Sequence, residues 1–246
     1  MGGKSCVVMR VAILKTGSPP GELERRFGSY PDMFEDLLAG HGYSFRTWDV
    51  EAGIFPQPGG FDALLITGSS NGAYDPLPWI GQLKDFLRAH EAVPMVGICF
   101  GHQIMAEAFG GKVEKSPRGW GVGLHHYDVP HPAPWMEGAA GFAISASHQD
   151  QVAVQPPHSV VVAASAFTPF AGLAYADKPA ISFQGHPEFD AAFATALIEG
   201  QRGAAFGEAQ ADAAVASLKA PDDRRGVGRW IGNFLADVGR QIRRRG

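Results

Sequence analysis

The chain has 246 residues, of which 45% are hydrophobic and 19% charged, with a formal net charge of −4. This size and composition suit one α/β domain with a sizeable core, so we expect residues 1–246 to form a single domain. The mild negative charge argues against nucleic acid or an anionic membrane as a partner, and no run reaches the roughly 20 apolar residues of a membrane span.

The first 100 residues alternate buried strands with amphipathic helices. Strand patterns occupy 7–14, 43–50, 61–67 and 94–98, and helical patterns occupy 32–39 and 78–91. Apolar residues recur at helical spacing in the two helices, the second of which begins at Pro78. This alternation predicts an α/β fold with an open, mainly parallel, twisted sheet that is flanked by helices.

The second half of the chain has a different composition. Glycine, proline and β-prone residues dominate from 112 to 182, which predicts an additional β-rich segment. Helical patterns return at 190–198 and in a last segment that Asp222 and Asp223 are placed to cap. The alanine-rich stretch 204–220 suits either a helix or a mobile surface segment, so we expect a C-terminal helical extension from about residue 204.

Cysteine usage and the amino terminus indicate the compartment. Cys6 and Cys99 are the two cysteines, and they lack the spacing of a zinc site or a disulfide framework. The amino terminus lacks a full signal-peptide pattern, so we expect a cytoplasmic protein with reduced thiols. His125, His126 and His131 have no regular ligand spacing, and we predict no metal and no cofactor.

A reactive cysteine is indicated at Gly97-Ile98-Cys99-Phe100-Gly101. The segment ends a buried strand and precedes a helical pattern, which is the context of a nucleophile elbow. Such a turn strains the central residue and exposes its side chain, while the following helix N-terminus favours a thiolate. Taken alone, the motif is equally typical of an inert buried cysteine.

The tripeptide His186-Pro187-Glu188 supplies the groups that a cysteine nucleophile needs. In an extended stretch, residues two apart project to the same side, so the carboxylate can orient the imidazole. An oriented imidazole can then exchange a proton with a thiol, as in other nucleophile-base-acid arrangements. By itself this tripeptide is more often a surface His and Glu in a proline loop.

Together the two segments resemble the class I glutamine amidotransferase domains. The resemblance rests on residues 94–105, PMVGICFGHQIM, and 184–188, QGHPE, and extends from Val11 to about Ile198. It implies a flavodoxin-like fold and a reaction in which Cys99 attacks the side-chain amide of glutamine, forming a γ-glutamyl thioester and releasing ammonia. In that reaction His186 would move protons and Glu188 would hold His186.

The same resemblance implies further site residues. Backbone N-H groups of Phe100 and Ser69 would bind the developing oxyanion, although Gly68-Ser69-Ser70 stands where many members carry Gly-Gly-Pro. Gln103 matches a residue that contacts the amino-acid end of the substrate. The segment Ser147-His148-Gln149-Asp150 resembles the family's substrate-binding loop before a strand. The implied substrate-binding residues are therefore Gly68, Gln103, Ser147, His148 and Gln149.

The sequence is compatible with three roles. The chain can be the glutaminase subunit that passes ammonia to a synthetase subunit, a free-standing hydrolase, or a non-catalytic binding relative. Several segments, among them Gly119-Trp120, also resemble γ-glutamyl peptidases, which cleave γ-glutamyl bonds in glutathione-type compounds. A small-molecule substrate, glutamine or a γ-glutamyl compound, is common to both enzymatic readings.

Overall fold

The computed structural model describes residues 8–245, with side chains described as far as residue 240. Cys6 and the start of the strand predicted from Val7 lie outside the described residues. Within the described part of the chain, no helix is both long and apolar enough to cross a membrane.

Within residues 8–245, seven strands form the central sheet. Their order is β2 (Ser44–Asp49), β1 (Arg10–Lys15), β3 (Ala63–Ile66), β4 (Met95–Ile98), β11 (Ala180–Phe183), β10 (Gly172–Tyr175) and β9 (Ser159–Ala163). The strands from β2 to β11 run parallel, and β10 and β9 are antiparallel to their neighbours. The predicted open and mainly parallel sheet is confirmed.

Helices flank the sheet, and two short ladders lie outside it. The helices are α1 (Glu22–Phe27), α2 (Tyr30–Leu37), α3 (Pro78–Ala89), α4 (Phe100–Ala108), α5 (Ala191–Gln201), α6 (Glu208–Ser217) and α7 (Arg224–Arg245), with a 3₁₀ turn at Pro134–Met136. The ladders pair β5 (Lys112–Lys115) with β8 (Asp150–Val154) and β6 (Gly121–Asp128) with β7 (Gly141–His148). They account for the predicted β-rich segment.

Helix α2 begins before the predicted start at Asp32 because of a capping box. The Ser29 hydroxyl accepts from the Asp32 backbone N-H, and the Asp32 carboxylate accepts from the Ser29 backbone N-H. These two bonds satisfy donors at the helix N-terminus, so the helix starts at Tyr30.

The centre of the sheet sets the position of the site. Strand β4 lies between β3 and β11, and its residues Met95, Val96 and Ile98 are fully buried between the two helical layers. Ile98 pairs with Phe183, so the chains that continue into Cys99 and His186 leave the same carboxyl edge side by side. Open α/β sheets bind their ligands at this edge.

The alanine-rich stretch 204–220 contains helix α6, which is the helical one of the two alternatives given for it. Helix α6 packs on β6, where the Ser217 hydroxyl accepts from the Leu124 N-H at 2.8 Å. Gly123, with φ of +92°, lets the two backbones approach, because a Cβ there would lie 2.8 Å from the Ala214 Cα. The helical extension predicted from about residue 204 is therefore packed against the β-rich segment.

One of the two predicted caps of the last helix has a different partner. Asp222 accepts from the Arg224 N-H at 3.1 Å, as a capping residue does. The Asp223 carboxylate instead accepts from the Ala143 N-H in β7 at 2.8 Å, and the Asp223 N-H donates to the Ala143 carbonyl at 2.7 Å. This pair of bonds attaches the start of α7 to β7.

Candidate active site

Cys99 lies in the sharp turn between β4 and α4. Its φ of 53° and ψ of −104° are strained for a residue with a side chain. The turn is held by the bond from the Cys99 N-H to the Phe183 carbonyl, at 2.9 Å. A Cβ at Gly97 would lie 2.5 Å from the Gly101 carbonyl oxygen and from the Met105 sulfur, so only glycine fits there. The predicted nucleophile-elbow geometry is present.

His186 and Glu188 form a buried pair after β11. The His186 Nδ1 lies 2.7 Å from the Glu188 Oε1, and the two residues are only 4% and 2% exposed. The His186 N-H donates to the Ser145 carbonyl at 2.8 Å, and its ring stacks on Phe189 with centroids 4.0 Å apart. The imidazole is thus fixed from the backbone, the carboxylate and one ring face.

Gly68 lies where these two parts meet. A Cβ built on Gly68 would be 3.2 Å from the His186 Cε1 and 3.8 Å from the Cys99 Cβ, so both side chains flank this glycine. Burial lowers the pKa of His186, but the negative charges of Cys99 and Glu188 outweigh burial and raise that pKa to about 10. These neighbours therefore favour the protonated, imidazolium form of His186.

Two backbone donors belong to residues near Cys99, since Phe100 follows it directly and Ser69 lines the same cavity. The N-H groups of Ser69 and Phe100 have no acceptor among residues 8–245. The Ser69 hydroxyl is occupied by accepting from the Asn71 N-H at 3.2 Å, which orders this loop. Both N-H groups are therefore free of internal bonds in the described part of the chain, and their role as oxyanion donors stays a prediction.

A cavity of about 280 Å³ opens at Cys99. Predicted site residues that line it are Ser69, Cys99, Gln103, His148 and Gln149. Ser147 is not among the lining residues, and it pairs with Val122 in the β6/β7 ladder. Residues that the sequence reasoning missed also line it, namely Tyr74, Asp75, Lys115 and Gln201. They come from separate segments with no shared motif, so no sequence signal groups them.

The predicted substrate-binding loop is not a loop. Ser147 and His148 end β7, and Gln149 alone separates them from β8, because the chain makes a tight connection between two strands. The His148 Nδ1 lies 3.2 Å from the Asp150 carbonyl, and burial, then the neighbouring His125 and His186, lower its pKa to about 3. His148 is therefore a neutral wall of the cavity.

Gln103 lines the cavity and is held by its side-chain amide. Its amide nitrogen donates to the Asp150 carbonyl at 2.8 Å and to the Gln184 side-chain oxygen at 3.1 Å. With both amide hydrogens engaged, the remaining oxygen is an acceptor suited to an ammonium group. Among the described residues, no cluster of three His, Cys, Asp or Glu side chains could hold a metal ion.

The open parallel sheet, with a strained cysteine and a His-Glu pair at its carboxyl edge, defines the class of α/β proteins with an amidotransferase architecture. Residues 44–198 match the family model of class-I glutamine amidotransferases, and the chain belongs to this family. The resemblance inferred from the two motifs is confirmed.

Curated relatives carry two kinds of names. A glutamine amidotransferase-like protein of Schizosaccharomyces pombe is 30% identical, covering 92% of this chain and 98% of the relative. Gamma-glutamyl peptidase 4 of Arabidopsis thaliana is 28% identical, covering 72% of this chain and 75% of the relative. A GMP synthase of Thermus thermophilus is 34% identical over 51% of this chain, which spans only 24% of that enzyme.

Solved structures share the fold. A glutamine amidotransferase from Thermotoga maritima superposes with a TM-score of 0.70 at 20% identity, over 93% of this chain and 96% of that chain. A glutamine amidotransferase from Methylobacillus flagellatus gives a TM-score of 0.70 at 23% identity, over 95% of each chain.

Proposed function

We propose that this protein hydrolyses the side-chain amide of glutamine through a γ-glutamyl thioester on Cys99, releasing ammonia. The observation that carries the proposal is the convergence of Cys99 and the His186-Glu188 pair on Gly68, at the carboxyl edge of the sheet. A structural cysteine does not need a strained backbone, a buried imidazolium and an adjoining cavity.

The proposed chemistry uses each of these groups once. The Cys99 thiolate attacks the amide carbonyl carbon, and the N-H groups of Ser69 and Phe100 stabilise the oxyanion that forms. The His186 imidazolium gives its proton to the leaving nitrogen, so the C–N bond breaks and ammonia departs. The neutral His186 then takes a proton from the water that attacks the thioester, so the C–S bond breaks and the Cys99 thiolate is released with glutamate, whose new carboxyl group loses its proton to solvent.

A second substrate class is γ-glutamyl peptides. Four of the curated relatives are γ-glutamyl peptidases of Arabidopsis thaliana, which match 68% to 78% of this chain. The cavity reaches beyond Cys99 to Lys115 and Trp120, which leaves space for a leaving group larger than ammonia. The acyl-enzyme half-reaction is the same, and only the leaving amine differs.

The experiment compares both substrate classes on one preparation. Purified protein is incubated with glutamine and separately with glutathione, and ammonia and glutamate are measured. Ammonia from glutamine supports the first proposal, and glutamate from glutathione alone supports the second. Turnover of neither substrate would leave a required synthetase subunit, or a non-catalytic binding role, as the explanation.

The matched variant is Cys99→Ser. It keeps the elbow geometry and replaces the thiolate by a poorly ionised hydroxyl, so turnover of either substrate should fall at least about 100-fold. The thermal midpoint of unfolding, followed by circular dichroism, should stay close to that of the wild type. Wild-type turnover in this variant would remove Cys99 from the mechanism.

Two further parts of the proposal concern the cellular setting. A thiolate nucleophile needs a reducing compartment, which suits the cytoplasm. A synthetase subunit that receives the ammonia is the partner we propose for the glutaminase reading, because this chain matches only 24% of a relative named as a glutamine-hydrolysing GMP synthase. Co-purification with a synthetase, and stimulation of glutamine turnover by it, would test this partner.

A further inference from the structure

A second cavity is lined by Glu188 and not by His186 or Cys99. It has a volume of about 150 Å³, and Glu188 and Arg224 both line it. Its lining residues are distinct from those of the cavity at Cys99, so substrate would not occupy it. The second cavity therefore contacts the site through Glu188 alone.

Two buried polar atoms at this cavity complement one another. The Glu188 Oε2, in a side chain that is 1% exposed, and the Arg224 Nε have no hydrogen-bond partner in the described part of the chain. The other carboxylates there have partners, since Asp32 caps α2, Asp190 caps α5 and Asp36 pairs with Arg225 at 2.8 Å. Two residues that line the same cavity thus contain an acceptor and a donor that are unpartnered among the described residues, while the Arg224 Nη2 lies 3.9 Å from Asp36.

We propose that ordered water in this second cavity bridges the Glu188 Oε2 to the Arg224 Nε, and that Arg224 is a positioning residue for Glu188. The volume is ample, because one water needs roughly 10–15 Å³ and two or more polar partners. A water bridge holds a carboxylate nearly as well as a direct bond does, and the guanidinium is always charged. Arg224 thereby keeps Glu188 aligned on His186.

Strand β7 fixes both ends of this bridge. Ala143 exchanges two hydrogen bonds with Asp223, directly before Arg224, and two residues further along Ser145 accepts from the His186 N-H. The position of Arg224 relative to His186 is therefore set by one short piece of strand. Arg224 lies beyond residues 44–198, so the C-terminal extension supplies a support that the matched family region lacks.

This inference rests on the proposed function, but its first test needs neither substrate nor variant. A high-resolution crystal structure of the wild-type protein should show at least one ordered water bonded, directly or through a second water, to both the Glu188 Oε2 and the Arg224 Nε. A dry cavity, or water that contacts only one of these atoms, would overturn the proposal.

The second test measures reactivity of the sulfur. Arg224→Met should slow alkylation of Cys99 by iodoacetamide at pH 7, and lower kcat, by about 10-fold with KM unchanged, as loss of an outer-shell support does at other sites. Arg229→Met is the control, because it removes the same charge from an exposed position on the same helix. Equal rates in the two variants would contradict the proposal.

A double-mutant cycle separates positioning from loss of structure. In a Glu188→Gln background, Arg224→Met should change the alkylation rate by less than about 2-fold, since the two effects share one path. An undiminished effect there would show that Arg224 acts independently of Glu188, and would overturn the inference. Because alkylation needs no substrate, its result stands even if neither glutamine nor glutathione is turned over.

Discussion

At the scale of single residues, the site combines strain with tight support. Cys99 has a positive φ, which costs about 1–3 kcal/mol for a residue with a side chain and persists only where neighbours enforce it. His186 is enclosed by the Glu188 carboxylate, the Ser145 carbonyl and the Phe189 ring. The Glu188 carboxylate and the Phe189 ring restrict the imidazole, and the Ser145 carbonyl holds the His186 backbone.

The pH dependence of turnover should report this enclosure. His186 has a pKa of about 10, raised from 6.5, so the proton that it gives to the leaving nitrogen is present at neutral pH and is lost as pH rises through about 10. We expect kcat/KM to hold from pH 7 to pH 9 and to fall near pH 10. Glu188→Gln removes one of the charges that raise the pKa, so its alkaline fall should begin at lower pH.

The raised pKa of His186 also makes the stability of the fold depend on pH. Because the folded pKa is raised, the stabilisation from His186 is complete below pH 6.5 and is lost as pH rises through about 10.

Rate profiles of wild type and Glu188→Gln that coincide at alkaline pH would contradict the role given to Glu188.

At the scale of elements, the elbow depends on helix α4 approaching strand β3. Gly101, in the first turn of α4, adjoins the Ile66 backbone, and its N-H donates to the Thr67 carbonyl at 3.1 Å. A Cβ at Gly101 would collide with the Ile66 carbonyl oxygen. Backbone atoms cannot rotate away as a flexible side chain can, so the whole helix would have to move.

Two glycine substitutions in helices should therefore have opposite effects. Gly101→Ala should lower the free energy of unfolding by about 2 kcal/mol or more, through overpacking against backbone. Gly81→Ala in α3 is the control, since no atom lies within 4 Å of its Cβ position, and it should raise stability by about 0.5–1 kcal/mol. Urea unfolding measures both, and equal changes would contradict the packing argument.

At the scale of the whole molecule, two histidines are enclosed in the interior. His102 is fully buried, with its Nδ1 2.8 Å from the Ser182 hydroxyl, and His148 is buried at the cavity wall. Burial is the main cause that lowers the pKa of each to about 3. Both histidines are neutral in the folded protein at any pH where it is used.

As pH falls, protonation of these two histidines in the unfolded chain should therefore destabilise the protein at a higher pH than protonation of its carboxylates would. Between pH 6.5 and about 3 the unfolded chain binds protons that the folded chain cannot, so stability should fall by about 1.4 kcal/mol per pH unit for each histidine. Urea unfolding at pH 7 and pH 5 measures this slope. His102→Gln should reduce it, whereas His131→Gln, at an exposed position, should leave it unchanged.

Much of the fold and the heart of the site could be predicted from local sequence signals. Buried runs of strand length, amphipathic helices and the glycines around Cys99 each act within a few residues, so periodicity and motif reveal them. The pairing of His186 with Glu188 is likewise local, because residues two apart in extended chain face the same side.

The features that could not be predicted from the sequence depend on contacts between distant segments. Ser147 and His148 end one strand, and Asp150 begins the next. The Asp223 carboxylate binds Ala143, and Lys115 lines the cavity at Cys99. No period or motif encodes such contacts, since they form only when separate elements pack. Local sequence signals were therefore enough to predict the sheet, the cysteine turn and the His-Glu pair, whereas packing between distant elements set the residues that surround them.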